Sequence, residues 1–163
     1  MLDKFELLGV PQGFDEPEGL DEKFRALSRK VHPDRFARAP APERRRALEQ
    51  TTVLNDAYKT LKDPVRRAEH LLSLRGVSGE PKMSPEFLEE TLDDREKLAE
   101  AKASGAGVEE LARGVREKRD STLAQVRELV QGGGDLSQAA ELLARMRYYA
   151  RYLDEVEGGS VEI

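Results

Sequence analysis

Apolar residues recur at intervals of three and four along much of the chain, the spacing that places side chains on one face of a helix. The clearest stripe consists of Leu20, Phe24, Leu27 and Val31. Asp15, followed three residues later by Glu18, resembles a capping box, so a helix is predicted from about Glu16 to Val31. A shorter helix is predicted before it, at Leu2 to Leu8, with Gly9 closing its end.

A proline ends the longer of these two helices. Pro33 lacks an amide donor and disfavours helical geometry in the residue before it, so His32 to Pro40 are predicted to form a loop. A third helix is predicted from Glu43 to Lys62. Its inward face is expected to carry Ala47, Thr51, Leu54, Tyr58 and Leu61. Two helices with one apolar stripe each and a short connection should pack as an antiparallel hairpin.

Proline and glycine divide the remainder of the chain. Asp63 and Pro64 give an N-cap followed by proline, which begins a fourth helix that ends at Gly76. Three long helices with cap signals and glycine turns then follow and should form an up-down-up bundle. They extend from Ser84 to about Ser104, from about Val108 to Gln131, and from Asp135 to about Glu157.

These elements predict an all-α protein with two modules. The first occupies residues 1–76 and the second, the three-helix bundle, occupies residues 85–157, with a linker at 77–84 and a flexible tail at 158–163. The charge changes at the same place: there are 15 basic and 13 acidic residues up to Gly76, but 12 and 19 in the remainder. A mildly basic module joined to an acidic one indicates two different partners.

Composition excludes several classes of site. The chain has no Cys and only two His, which rules out disulfides, a thiolate nucleophile and metal ligation through sulfur. Neither a cofactor nor a metal is expected, and the lack of a nucleophile and base at recognisable spacing argues against an enzyme. There is no signal-peptide core and no apolar run of about 20 residues, so a cytoplasmic protein without membrane association is expected.

Nucleic-acid binding is not expected either. The only tight basic run, Arg44 to Arg46, is flanked by Glu43 and Glu49 and has no interleaved aromatic residue. The net charge of −5 supports this conclusion, since nucleic-acid binders are normally far more basic.

The candidate chemistry lies in the loop of the hairpin, where His32, Pro33 and Asp34 follow one another. Pro33 restricts the backbone of this loop, and Asp34 is expected to be exposed at the tip of the hairpin. Positive charge surrounds this acid. It comes from Arg25, Arg29 and Lys30 on the second helix and from Arg35 and Arg38 in the loop. Without the adjacent tripeptide, such charges would be interpreted as a solvated helix face.

A helix, a His-Pro-Asp loop and an antiparallel helix of this sequence resemble the J domain of DnaJ-type co-chaperones. Beyond the loop, the resemblance is carried by Leu54, Asn55, Ala57, Tyr58, Leu61, Asp63, Pro64, Arg67 and Ala68. It implies an activator of a seventy-kilodalton heat-shock ATPase of the DnaK/HscA type, in which His32, Pro33 and Asp34 trigger ATP hydrolysis. The basic residues implied to dock on that chaperone are Arg25, Arg29, Lys30 and Arg35.

Nearly the full length is similar to iron–sulfur assembly co-chaperones of the HscB type. The similarity includes Arg67 to Leu74, Gly76, the linker and the acidic bundle. In that family the second domain holds the scaffold protein on which iron–sulfur clusters are built and presents it to the chaperone. Three positions depart from the family pattern: Arg35 replaces the usual Lys, His70 the usual Tyr, and Glu89 the Met of some relatives. His70 is interpreted as a hydrogen-bonded or surface histidine near a helix end.

The last helix of the bundle carries apolar residues on more than one side. Its inward stripe is expected to contain Leu142, Met146, Tyr149, Leu153 and Val156. Tyr148 and Tyr152 project from another side of this helix. These two tyrosines are therefore interpreted as surplus to the core.

The first bundle helix has two apolar stripes about 100 degrees apart. They are Phe87 with Leu98, and Leu88 with Leu92 and Ala99. One stripe is expected to pack inside the bundle, and the other can face a partner. The resemblance to the HscB type places the scaffold-binding residues at Leu88, Leu92 and Tyr148, with Asp93 and Glu96 as acidic neighbours.

Two alternatives remain at this point. A J-domain co-chaperone could recruit the chaperone to a different protein client through the same bundle. A helical enzyme or metal carrier is the alternative from another class, and the missing Cys and scarce His argue against it. Failure to bind a purified scaffold protein would favour the first alternative, and stoichiometric bound iron would favour the second.

Overall fold

The computed structural model describes residues 1–77 and 80–158. All regular elements in these ranges are helices, which confirms the predicted all-α class. The chain divides into two compact units, Met1–Gly76 and Val77–Ile163. Part of the predicted linker and nearly all of the predicted tail lie outside the described residues. None of the described helices is long and apolar enough to cross a membrane.

The first unit contains four α-helices and a short 3-10 turn. Their bounds are Lys4–Leu8 (α1), Leu20–Val31 (α2), Ala41–Lys62 (α3) and Pro64–Leu74 (α4), with the 3-10 turn at Pro33–Phe36. Asp3 caps α1 by accepting the amides of Phe5 and Glu6, so this helix begins two residues later than predicted. Gly9 ends it at φ +67°, as its position in the sequence indicated.

α2 begins at Leu20, four residues later than predicted. Gly19 has φ +75°, a left-handed conformation that an α-helix cannot contain. The amide of Leu20 donates to the carbonyl of Pro17 at 3.3 Å and closes a turn immediately before the helix. The predicted capping box of Asp15 and Glu18 is therefore wrong, because the chain turns at Gly19 before the helix starts.

The core of the first unit forms where α1 and α2 pack on α3. Its fully buried apolar side chains include Phe5, Leu8, Leu20, Leu61 and Leu71. Within the stripe predicted on α2, only Leu20 is fully buried, whereas Phe24, Leu27 and Val31 are half-buried. α2 is thus an outer helix with little apolar burial toward its C-terminal end.

The described part of the second unit consists of three long helices. They are Pro85–Ser104 (α5), Val108–Gln131 (α6) and Leu136–Val156 (α7). The side chains of Ser84 and Asp135 cap α5 and α7, as the sequence predicted. α6 and α7 pack most closely, and α5 contacts both of them less extensively. The predicted bundle is confirmed, with α5 as its least embedded helix.

α7 has a wider buried face than predicted. Tyr152 is only 1% exposed, so its interpretation as surplus to the core is wrong. Leu153 and Val156, predicted to lie inside, are half-buried. The reason is that α7 packs against both α5 and α6, and a helix with two neighbours buries a wider arc than a single stripe.

Candidate functional site

Four contacts hold α2 and the loop before it against α3 at the end of the hairpin farther from the loop that carries His32 and Asp34. The ring of Phe24 stacks on Tyr58 with centroids 4.1 Å apart. The Tyr58 hydroxyl donates to Asp21 at 2.7 Å, and this hydrogen bond lowers the pKa of the Asp21 carboxyl. Lys62 forms ion pairs with Asp21 at 3.2 Å and with Glu16 at 3.1 Å. These contacts align the start of α2 with the end of α3, beside the buried Leu20 and Leu61.

At the end of the hairpin nearer the loop, Thr51 of α3 approaches the end of α2. Its hydroxyl donates to the carbonyl of Ala47 within α3 at 2.9 Å and lies 3.4 Å from the carbonyl of Val31, the last residue of α2. The end of α2 therefore meets the first half of α3, while Asp21 at its start meets Tyr58 near the end of α3. This order of contacts confirms the predicted antiparallel hairpin.

The loop after α2 is ordered by its own hydrogen bonds. Nδ1 of His32 accepts the amide of Asp34 at 3.2 Å, and the amide of Arg35 donates to the carbonyl of His32 at 3.0 Å. Pro33 is the first residue of the 3-10 turn, where its fixed φ fits and an amide donor is not needed. The tip of the hairpin therefore has a defined backbone conformation, although its side chains lie near the surface.

The carboxylate of Asp34 points into solvent, as predicted. Its side chain is 92% exposed, and its Oδ2 lies 3.6 Å from Nδ1 of His32. The basic residues predicted to accompany it are exposed as well. They are Arg25, Arg29, Lys30 and Arg35. One hairpin thus carries an exposed acid at its tip and exposed cations along α2 and in the loop.

Arg67 has a structural role that its place in the sequence motif did not reveal. This side chain is buried, and its Nε donates to the carbonyl of Phe14 at 2.8 Å while Nη1 donates to the carbonyl of Leu61 at 2.8 Å. Burial lowers the pKa of the guanidinium. Arg67 therefore connects the loop before α2 to the end of α3 and so stabilises the hairpin.

His70 is buried and hydrogen-bonded, in agreement with its interpretation as a satisfied histidine. Its Nε2 accepts the amide of Lys4 at 3.0 Å, and its ring stacks on Phe5 with centroids 5.7 Å apart. Burial, with a further contribution from the charge of Lys4, lowers the pKa of His70. The neutral ring thus supplies an acceptor at the start of α1.

The second candidate surface lies on α5. Leu88 and Leu92 are 50% and 65% exposed, whereas Phe87 and Leu98 are buried. The prediction that one apolar stripe packs inside and the other faces outward is therefore confirmed. Two exposed leucines one turn apart form an apolar strip on an otherwise charged helix.

The acidic residues predicted beside this strip differ in their surroundings. Glu96 is exposed one turn beyond Leu92. Asp93 is also exposed, but its carboxylate forms an ion pair with Lys97 at 2.9 Å. Of these two acids, Glu96 is therefore the better placed to meet a basic group of a partner.

Tyr148, predicted to belong to the same surface, packs against α5 instead of extending beside the leucines. Its hydroxyl donates to the carbonyl of Thr91 at 3.1 Å, and its ring meets Phe87 edge to face at 5.7 Å between centroids. The side chain is half-buried. Burial raises the pKa of the Tyr148 hydroxyl to about 12.

Lys118 of α6 is a second contact to α5 that sequence reasoning missed. Its Nζ lies 2.6 Å from Oε1 of Glu90 and 3.6 Å from Oδ2 of Asp94. Asp94 is partly buried, and this burial raises the pKa of its carboxyl. The sequence contains only a weak signal for this contact, two acids one helical turn apart, because the cation comes from a separate helix.

The site holds no recognisable metal position in the part of the chain that the structure describes, since no three His, Asp or Glu side chains converge there. What the described surfaces offer is a charged loop on one unit and an apolar strip on the other. Both are features of protein–protein contacts.

Comparison with known families agrees with these features. Residues 3–70 match the family model of the DnaJ domain, and residues 83–157 match the model described as the HSCB C-terminal oligomerisation domain. The two matches cover both structural units.

Individual relatives match over nearly the whole chain. The co-chaperone protein HscB homolog of Ralstonia nicotianae is 37% identical over 97% of this chain and 92% of the relative. The solved structure of chaperone HscB from Vibrio cholerae covers 96% of both chains with 36% identity and a TM-score of 0.84. Human co-chaperone protein HscB is 29% identical, with a TM-score of 0.84 over all of this chain and 84% of the human one. The chain belongs to the HscB family of J-domain co-chaperones, the iron–sulfur assembly family that its sequence resembles.

Proposed function

We propose that this co-chaperone stimulates ATP hydrolysis by a cytoplasmic heat-shock chaperone of the DnaK/HscA type and delivers an iron–sulfur scaffold protein to it. The observation that carries the first half is the exposed carboxylate of Asp34 on an ordered hairpin tip. The second half is supported by the exposed leucines of α5 and by membership of the HscB family. The chain itself acts as an adaptor between the two partners.

The hairpin tip can act as a trigger because its conformation is set before docking. His32 holds the amide of Asp34 and Pro33 limits the backbone, so less entropy is lost when the tip binds. The exposed carboxylate can then form a charge-assisted hydrogen bond with an arginine of the chaperone. The cations of α2 would mainly increase the rate of encounter with an acidic surface, in a manner that salt weakens.

The strip of α5 suits a different kind of contact. Leu88 and Leu92 expose apolar surface to water. Removing this surface from water on binding is favourable and needs no charged partner group. Glu96 at its edge can meet a basic residue of the scaffold. Asp93 contributes less in this proposal because Lys97 already neutralises it. Tyr148 of α7 contributes by its hydrogen bond to the backbone of α5.

The first test replaces the triggering charge. Asp34→Asn keeps the shape of the side chain and should abolish stimulation of chaperone ATPase while leaving scaffold binding intact. Because this side chain is almost fully exposed, the free energy of unfolding should stay within about 0.5 kcal/mol. Glu49→Gln, which neutralises an exposed acid on α3, is the matched control. Full stimulation by Asp34→Asn would contradict the trigger.

The reciprocal test removes the apolar strip. The double variant Leu88→Ala/Leu92→Ala should lose scaffold binding and retain basal ATPase stimulation. Leu48→Ala, which shortens a leucine of similar exposure on α3, is the control. If the wild-type protein itself binds no scaffold, a different client is indicated.

The oligomeric state must be measured beside this test. The family model that matches the second unit is described as an oligomerisation domain. The mass of each variant in solution therefore separates loss of scaffold binding from loss of self-association. A wild-type oligomer that the double variant converts to a monomer would show that the strip binds a second copy of the chain.

A further inference from the structure

The outward-facing part of α5 has an unusually weak apolar attachment to its bundle. Phe87 at its start and Leu98 toward its end are buried, but no side chain from residue 88 to residue 97 is fully buried. This segment carries both exposed leucines. The position of this segment relative to the other two helices therefore depends on the few polar contacts that it makes with α6 and α7.

One of these contacts is made to the backbone of the segment. The Tyr148 hydroxyl donates to the carbonyl of Thr91, which lies between the two leucines in sequence. In a regular helix this carbonyl already accepts the amide of Arg95, so the tyrosine adds a second donor from a separate helix. A hydrogen bond to the backbone acts on the position of the whole turn and not on one side chain.

The ring of Tyr148 has further contacts, with two residues of α5 and with its neighbour on α7. It meets Phe87 edge to face at 5.7 Å and Tyr149 at 5.9 Å between centroids. The guanidinium of Arg95 lies 6.0 Å from the centroid of the Tyr148 ring and pairs with Glu155 at 3.4 Å. These contacts hold the hydroxyl in place, so its donation to α5 costs little additional ordering.

We infer that Tyr148 is a positioning residue for α5, the helix that carries the proposed scaffold-binding strip. Through its hydroxyl it fixes the middle turn of α5 and so sets the direction of Leu88 and Leu92. This inference rests on the proposed scaffold-binding function of that strip. It differs from a direct contact role, in which the aromatic ring itself would touch the scaffold.

A positioning role of this kind requires that the Tyr148 hydroxyl keep its proton. Burial raises the pKa of the hydroxyl to about 12, and the negative charge of Asp94 contributes in the same direction. The hydroxyl therefore stays protonated, and available as a donor, through the neutral range.

The test is Tyr148→Phe, which keeps the ring and removes only the donor. Scaffold affinity should fall about 2- to 10-fold, the range expected for one hydrogen bond, mainly through faster dissociation. Amide hydrogen exchange in the protein without its partners should become faster in residues 91–95 and stay unchanged in α6. Tyr58→Phe removes a cross-helix tyrosine hydrogen bond in the first unit, there to a carboxylate, and should leave scaffold affinity unchanged.

Two results would overturn the inference. Unchanged scaffold affinity in Tyr148→Phe would show that the donor is dispensable. Weaker affinity with unchanged exchange in residues 91–95 would show that the hydroxyl contacts the scaffold directly. The exchange measurement needs no partner, so it tests the positioning role even if wild-type protein binds no scaffold, a result that would contradict the proposed function alone.

Discussion

The hairpin of α2 and α3 and the helix α5 present their surfaces in contrasting ways. The hairpin displays a charge on a loop, and a charge in solvent costs no desolvation until a partner arrives. α5 displays leucines on a regular helix, where every backbone group of the turn is already paired. The difference fits the two proposed roles, electrostatic contact with the chaperone for the first unit and apolar burial against the scaffold for the second.

The two regions also share a feature. In each, a tyrosine hydroxyl donates across to a neighbouring helix: Tyr58 to Asp21 in the hairpin, and Tyr148 to Thr91 in the bundle. Directional hydrogen bonds can specify alignment where non-directional apolar contacts are few. Partner-facing helices can thereby remain accessible and still keep one orientation.

The largest expected effect separates the two sides of α5. Phe87→Ala should lower the free energy of unfolding of the second unit by about 3–5 kcal/mol, because a buried ring is lost and a cavity remains. Leu92→Ala should change it by less than about 0.5 kcal/mol, because the side chain is already in solvent. Chemical denaturation measures both. Equal losses would mean that the leucine strip belongs to the core, and the comparison would fail.

A slightly smaller effect is expected at Arg67, which serves the first unit as a polar core residue. Arg67→Met leaves the carbonyls of Phe14 and Leu61 without their donors, which should cost about 2–4 kcal/mol. Arg66→Met, its exposed neighbour, should cost less than about 1 kcal/mol. Thermal unfolding of the two variants checks this, and a cost for Arg66→Met as large as that for Arg67→Met would contradict it.

The hairpin tip can be dissected by two substitutions of the same histidine. Asn can place an acceptor near the position of Nδ1 and hold the amide of Asp34, whereas the longer Gln cannot do so at the same distance. His32→Asn should therefore retain about fivefold more ATPase stimulation than His32→Gln, corresponding to one local cap of about 1 kcal/mol. Steady-state ATP turnover measures the difference. Identical residual stimulation would show that the ordered tip is not what His32 supplies.

The last expected effect concerns pH, and it should have opposite signs in the two units. His70 has a lowered pKa when folded, so the unfolded chain binds a proton first as the pH falls below about 6.5. The stability of the first unit should decline there by at most about 1.4 kcal/mol per pH unit. His70→Gln should remove this slope. Denaturant midpoints of the first unit between pH 5 and 7.5 check this slope, and a flat wild-type profile would contradict it.

The opposite sign is expected in the second unit. Burial raises the pKa of the Asp94 carboxyl, so its contribution to stability is present in acid and is lost as the pH rises above 3.8.

Local sequence signals predicted much of the fold because their causes are local. Asp63, Ser84 and Asp135 cap the helices that follow them, and Gly105 ends α5 in a left-handed conformation, all from interactions within a few residues. The same signals failed before α2. Gly19 and the turn from Pro17 proved stronger than the capping pattern at Asp15.

The candidate site divides in the same way. The exposed tip at Asp34 followed from the position of Pro33. Helix periodicity gave two apolar stripes on α5, and the resemblance to the HscB type indicated that Leu88 and Leu92 belong to the outward one. The sequence by itself determined which helices form, where they end and which faces are apolar, because those properties depend on neighbours three or four residues away. Only the tertiary structure decided that Tyr152 is core, that Tyr148 bonds to α5 and that Lys118 and Arg67 join distant segments, because each of these depends on which helix lies opposite.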